Sequence, residues 1–234
     1  MSWFEKLHET FIASGHYKLI LNGFKNTIII TLGALLIGVV IGSVIAIAKY
    51  FSEGVPSMKA VEVICDFYVT VIRGIPVVVL LLIFYFIVMT GAEGVPVAIL
   101  TFGINSGAYM AEVVRSGINA VDKGQMEAGR SLGLSKLQAM RKIVFPQAIR
   151  NILPAIGNEM IALLKETSVA GYVAVVDLTR AGNLVRNNTF DAINPLLLVA
   201  LVYLALVVGL TRLLKVFERK LAKNEERIRK RDLR

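Results

Sequence analysis

Apolar residues in this chain come in long unbroken stretches, not in the short alternations of a soluble fold. From Asn26 to Ala48, 23 residues pass without a charge, enough for a helix across ~30 Å of hydrocarbon. Similar stretches recur, and together they predict five membrane spans at about 22–50, 58–90, 94–118, 149–172 and 194–217. The first is too long for a signal-peptide core and is preceded by Glu5 and Glu9, so an uncleaved span is expected. The second is interrupted by Glu62, Asp66 and Arg73, and Gly74-Ile75-Pro76 follow directly. A helix break is expected there, which lipid tolerates only where protein or water covers the backbone. Residues 119–148 are too polar for lipid. Met126, Leu132, Leu134, Leu137, Met140, Ile143 and Val144 recur at interrupted helical spacing, with cap and turn signals at Asp122, Ser131 and Ser135. The pattern predicts short amphipathic helices joined at Gly129 and Gly133. Such a segment either docks on a soluble partner or lies along the lipid surface. The fold class expected is all-α integral membrane, a single transmembrane domain over 1–234.

Composition agrees with that class. Hydrophobic residues make up 56% of the chain and charged ones 18%, against roughly 25% charged in soluble domains. Cys65 is the single cysteine, which excludes a disulfide framework or a multi-cysteine metal site. His8 and His16 lie outside the spans, and no metal is expected. The net charge is +9, and residues 212–234 hold ten basic and four acidic side chains of it. A basic tail at 218–234 after an apolar run fits the inner surface of a membrane, so no nucleic-acid partner is required. The 115–150 segment adds seven basic residues against Asp122 and Glu127. Basic-residue counting places these segments in the cytoplasm and the N-terminus outside, although Lys6, Lys18 and Lys25 run mildly against it. An odd number of spans argues against the inverted repeats of many secondary transporters.

Charges at depth in a bilayer ask for a partner or a function. Glu62, Asp66 and Arg73 fall within about 40° of one another on a helix. Arg73 lies about 21 Å beyond Lys59 along the helix. Its planar guanidinium suits a substrate carboxylate, and pairing with Asp66 or Glu112 is equally open. Glu159, about 14 Å past Arg150, shares a face with Glu166 and has Asn158 and Lys165 beside it. It suits an α-ammonium or a cationic side chain, with Asn158, Thr167 or Ser168 as neutral partners; a salt bridge to Lys165 or another span is the alternative. An anion-binding Arg and a cation-binding Glu at similar depth complement a zwitterion. Thr70 and Asn105 complete the candidate substrate-binding set. Asn105, Tyr109, Glu112 and Ser116 form one polar stripe on the third span, where Glu112 and Arg115 are spaced to pair. Gly124 to Ser131 mimics a phosphate-binding loop, but Arg130 stands where lysine is required and no apolar strand precedes it.

Glu127-Ala128-Gly129, Gly133, Ile143 and Pro146, at their fixed spacing, resemble the "EAA" loop of binding-protein-dependent ABC importer permeases. Gly129 replaces that loop's second Ala and Phe145 its Leu. Arg73-Gly74-Ile75-Pro76, Ser106 to Arg115 and Leu164-Lys165-Glu166-Thr167-Ser168 resemble further motifs of the polar amino-acid branch, and the likeness covers roughly 20–215. The resemblance implies a type I ABC importer permease fold in a bacterial inner membrane, carrying polar or basic amino acids. It implies that Glu127, Ala128, Gly129, Gly133 and Pro146 form the coupling helix toward ABC ATPase subunits. ATP and magnesium would be bound by those ATPases, with no cofactor and no catalysis in this chain. The other implied partners are a second permease chain, either a copy or a paralogue, and an external amino-acid-binding protein. A secondary transporter or a membrane scaffold without an ATPase is the competing reading. An intramembrane Ser168–Lys165 enzyme is a third, but it has no use for the 119–148 segment.

Overall fold

The computed structural model describes the backbone at residue 5 and over 8–232, and side-chain surroundings at residue 5 and over 8–221. Lys6 and most of the predicted basic tail's side chains lie outside that range. The longest helices are α1 (Tyr17–Ser52), α4 (Gly94–Asn119) and α9 (Asn194–Asp232). Between the first two come α2 (Lys59–Gly74) and α3 (Val77–Ile83), which continues as a π-turn at Phe84–Val88. After α4 come α5 (Lys123–Ser131) and α6 (Lys136–Ala139). The latter runs through a π-turn at Met140–Val144 into α7 (Phe145–Glu166). A 3-10 segment, Thr167–Val173, leads to α8 (Leu178–Thr189).

The bundle is organised by the approach of α1 to α4. Ala34, Gly38, Gly42 and Ala46 recur every fourth residue on α1, and all are buried. Gly103, Gly107 and Ala111 supply a matching small stripe on α4. Small side chains let helix backbones come close, the main attraction open to helices where lipid offers no hydrophobic gain. The fit is tight. A Cβ at Gly42 would stand 2.3 Å from Met110 Cβ, and one at Gly103 2.7 Å from Ile37 Cβ.

Among the described residues, three helices are long and apolar enough to cross a membrane: α1, α4 and α9 over Asn194–Leu221. The predicted second span is a broken pair, bent by 103° between Pro56–Gly74 and Val77–Val88. Ile75 and Pro76 are extended, and Pro76 begins α3 by accepting from the Val79 and Leu80 amides. The turned piece is covered in part. Leu81 is fully buried with Ile30, Phe102, Leu163 and Val173 in one core cluster, whereas Gly74 and Pro76 at the break itself are exposed, where in a bilayer a neighbouring chain or water must cover the backbone. The predicted fourth span is helical only to Glu166. α7 is long enough to cross but carries Pro154, Glu159 and Lys165 and is not among the apolar helices.

Two local expectations are corrected. Gly129 is no joint: it lies inside α5, where the backbone needs a small residue because a Cβ would meet Ile143 Cδ1 at 2.7 Å. Gly133 does end α5, at φ +84°, with Gly133 N–H donating to the Arg130 carbonyl and Leu134 N–H to that of Gly129. That is the Schellman pattern, which favours glycine at the left-handed position. The stretch between the predicted fourth and fifth spans, for which no element is expected, forms α8. Its buried Leu178, Ala181, Gly182 and Val185 face the bundle, and the Asp177 carboxylate caps it by accepting from the Thr179 and Arg180 amides at 2.8 and 3.3 Å. The Asn26 amide donates to the Val176 carbonyl at 2.9 Å and Leu178 N–H to Thr27 Oγ1 at 3.1 Å, which ties α8 to the start of α1.

A second core cluster joins Ala46, Val114 and Ile118 to Met140, Val144 and Ile152, seating the α5–α6 segment on the ends of α1 and α4. Gly42→Val is expected to destabilise the chain by about 1–3 kcal/mol or more through overpacking. Gly209→Val, where a Cβ meets nothing within 4 Å, is the control. Thermal unfolding of both variants in detergent checks this, with a lowered midpoint expected for Gly42→Val alone.

Candidate functional site

α4 carries the candidate site because helices α2 and α7 each bring one charge to it. On the α2 side, Arg73 Nη1 forms an ion pair with Glu112 Oε2 at 2.7 Å, and its guanidinium carbon lies 4.9 Å from the centre of the Tyr109 ring. Both charged side chains stay open, at 38% and 50% exposure. A cation held by a carboxylate and an aromatic face is satisfied yet reachable. Beside it, Thr70, Tyr109 and Ser116 are exposed, whereas Asn105 is 4% exposed. Tyr68 O–H donates to the Ile104 carbonyl at 2.6 Å, fixing α2 against α4 next to this pair.

The acidic stripe of α2 does not act as a unit. Lys49 of α1 pairs with Asp66, and Lys59 pairs with Glu62 at 2.9 Å. Glu112 takes Arg73, so the Glu112–Arg115 pairing open from their spacing does not form. Sequence periodicity puts charges on one face; it does not say which neighbour reaches them.

On the α7 side, Ser106 Oγ donates to Glu159 Oε1 at 2.7 Å. Ser106 is fully buried, and Gly38 of α1 packs over it so closely that a Cβ there would stand 2.6 Å from Ser106 Oγ. A hydrogen bond to a charged group contributes about 1.5–3 kcal/mol, and here it sets which way a half-buried carboxylate points. Among the described residues no ion pair joins Glu159 to Lys165. Asn158 is exposed beside it. Thr167 is fully buried and donates to the Leu164 carbonyl at 2.8 Å. Ser168 is half-buried and lines a separate cavity of about 630 Å³ with Tyr172, Arg180 and Asn183. The structure therefore gathers Arg73, Thr70, Tyr109 and Glu112 on one side of α4 and Glu159 with Ser106 on another, and sets Thr167 and Ser168 apart. Ser106 and Tyr68 are the residues that sequence reasoning passed over. The signal was present, since Ser106 lies between the two small residues Gly103 and Gly107.

The α5–α6 segment divides its motif residues by role. Gly129 is buried against Ile143 and Ala139, while Glu127, Ala128, Gly133 and Pro146 are exposed. Leu132 is 82% and Leu137 62% exposed. Asp122 caps α5 by accepting from Gly124 N–H at 2.7 Å, and Ser135 with Gln138 forms a reciprocal capping box on α6. Lys136 Nζ lies 5.0 and 5.6 Å from the ring centres of Tyr50 and Phe51, docking the segment on the end of α1. Apolar knobs and a carboxylate thus project from the α5–α6 segment, which is pinned through Gly129 and Lys136.

The profile of one family, described as binding-protein-dependent transport system inner membrane component, matches residues 38–223. The arginine transport system permease protein ArtQ of Bacillus subtilis is 35% identical over 217 residues, covering 88% of this chain and 94% of that one. A Rickettsia typhi relative named for glutamine transport, GlnP, is 35% identical over 209 residues, again 88% and 94%. Among solved structures, an amino acid ABC transporter crystallised with histidines superposes with a TM-score of 0.81 at 37% identity, over 90% of this chain and 98% of that one. The MetNI methionine transporter in an inward-facing form reaches 0.74 at 21% identity over 88% and 97%, a likeness of fold alone. The helical architecture is thus one already seen in solved transporters, and the chain belongs to the family of binding-protein-dependent transport system inner membrane components.

Proposed function

We propose that this chain is the membrane-embedded permease subunit of an ATP-driven amino-acid importer, crossing the inner membrane five times with α7 counted as a crossing. Its N-terminus lies outside and the α5–α6 segment and basic tail inside. Two permease chains enclose the pathway. ABC ATPase subunits bind ATP and magnesium and grip α5, and an external binding protein delivers a polar or basic amino acid. The observation that carries the reading is the build of the α5–α6 segment: α5 packs on Ile143 at Gly129, while Glu127 on α5, Leu132 just after it and Leu137 on α6 are exposed and free to enter a groove on a soluble partner.

Within the pathway, Arg73 and Glu159 offer opposite charges to a zwitterion. Arg73 is already satisfied by Glu112 and Tyr109, so a substrate carboxylate enters by sharing or displacing an acidic partner. That exchange lets affinity differ between conformations, which is what alternating access requires: a ligand moves an equilibrium only by its differential affinity for the two states. Glu159, aimed by Ser106, faces the α-ammonium or a cationic side chain. Asn158, Thr70 and Asn105 supply neutral hydrogen bonds. Ser168, on the separate 630 Å³ cavity, and Thr167, buried on the Leu164 carbonyl, stand outside this pair of charges.

Three outcomes test this. Glu159→Gln in the reconstituted complex should raise the half-saturating concentration for a cationic amino acid by about 10–100-fold, the loss of one charge-assisted hydrogen bond. Arg73→Ala should weaken all amino acids alike. Equal uptake by wild type and both variants overturns the site. Gly133→Val should leave the chain in the membrane but separate ATP hydrolysis from uptake, because left-handed backbone strains a β-branched residue. Gly133→Asn, which tolerates that conformation, should retain coupling. Parallel measurements of ATP hydrolysis and uptake check the pair.

A further inference from the structure

A cavity of about 190 Å³ opens between the end of α1, the first turns of α2 and the end of α4, and none of Arg73, Glu112, Ser106 and Glu159 lines it. Its walls hold Lys49, Glu53, Glu62, Asp66 and Arg115. Three of these five charges are accounted for by ion pairs. Lys49 and Asp66 neutralise each other, and Glu62 is held by Lys59. Arg115 and Glu53 remain. With Glu112 taken by Arg73, no ion pair among the described residues engages either. One guanidinium and one carboxylate therefore face the same small cavity uncommitted. The guanidinium is a fork for a carboxylate, and the carboxylate is a seat for an ammonium. Asn119, also in the wall, can both donate and accept.

The same cavity touches the coupling machinery. Tyr50 and Asn119 are shared between it and the neighbouring cavity, whose other walls include Met126 and Glu127 of α5. The Tyr50 ring also carries Lys136 on its face and meets Phe51 edge-on, with ring centres 5.5 Å apart. A molecule in the charged cavity presses on the residue against which the α5–α6 segment is docked.

We infer that this cavity is a second binding site for an α-amino acid, with its carboxylate on Arg115 and its ammonium on Glu53, and that filling it restrains the coupling segment. The site rests on the amino-acid importer reading but uses none of the mid-membrane residues. It gives the transported compound, accumulating on the α5 side, a way to slow its own entry.

The test uses the complex of permease, ATPase and nanodisc lipid, with radiolabelled L-arginine and L-glutamine as probes in equilibrium dialysis. The proposed contacts are to groups that every amino acid shares, so both probes should bind. Wild type should show one more site per copy of this chain than Arg115→Gln or Glu53→Gln, each of which should weaken that site at least tenfold. ATP hydrolysis should fall as this second site fills. In the two variants that fall should vanish while the rate without amino acid stays unchanged. Glu159→Gln should instead remove the mid-membrane site and leave this one, so loss of either reading is separately visible. A single site per chain in wild type overturns the inference, as does full binding of both probes by both variants. Should the variants not assemble, the wild-type stoichiometry alone decides.

Discussion

The close approach of α1 to α4 is the constraint from which the rest follows. Gly38 and Gly42 leave no room for a side chain, and Ser106 and Met110 occupy what would be their Cβ positions. This contact brings α4 to the middle of the bundle. From there one helix reaches Arg73 through Glu112 and Tyr109, and Glu159 through Ser106. A wider α1–α4 spacing would leave Ser106 unable to hold the Glu159 carboxylate while packed under Gly38. Tight packing in this region is thus a condition for placing the charges as well as for stability.

Charges inside an apolar bundle persist because each is compensated at short range. Arg73 is shared between a carboxylate and an aromatic face, Asp66 is met by Lys49 from a different helix, and Glu159 accepts from a buried hydroxyl. The pairs differ in openness. The Arg73–Glu112 pair is half exposed, so either partner can be exchanged for a ligand at modest cost. The Ser106–Glu159 bond is anchored on a fully buried hydroxyl packed under Gly38, which fixes its direction. A pathway that must release what it binds benefits from having one of each.

The α5–α6 segment follows the same economy. Gly129, Ile143 and Ala139 bind it to itself, Lys136 binds it to the aromatic end of α1, and Leu132 and Leu137 are left in solvent. Apolar side chains exposed on a rigid short helix are costly unless something covers them. Under the proposed importer function, this rigidity would let a push on those side chains reach α1 and α4.

Much of this was legible along the chain. Hydropathy over twenty or more residues adds up locally, so the membrane class and the apolar passes needed no tertiary information. The break at Gly74-Ile75-Pro76 followed from backbone chemistry alone, and the caps at Asp122 and Ser135 from side-chain chemistry one turn away. The spaced pattern from Glu127 to Pro146 marked the segment that projects. What the chain could not reveal was the partner of each charge. Helical periodicity states which residues share a face, but Arg73 could meet Asp66 or Glu112, and only the position of α4 beside α2 chose. Ser106 gained its role because α1 presses it toward α7. Gly129 proved a packing residue and not a joint for a similar reason, since Ile143 returns against it from fourteen residues on. The amphipathic α8 was hidden because its apolar face is only four small or medium residues, enough when the end of α1 and Asp177 are waiting for it and too few to stand out in a linear pattern. Sums over neighbours in sequence were decided by the sequence; choices between neighbours in space waited for the fold, because they depend on distances that only packing sets.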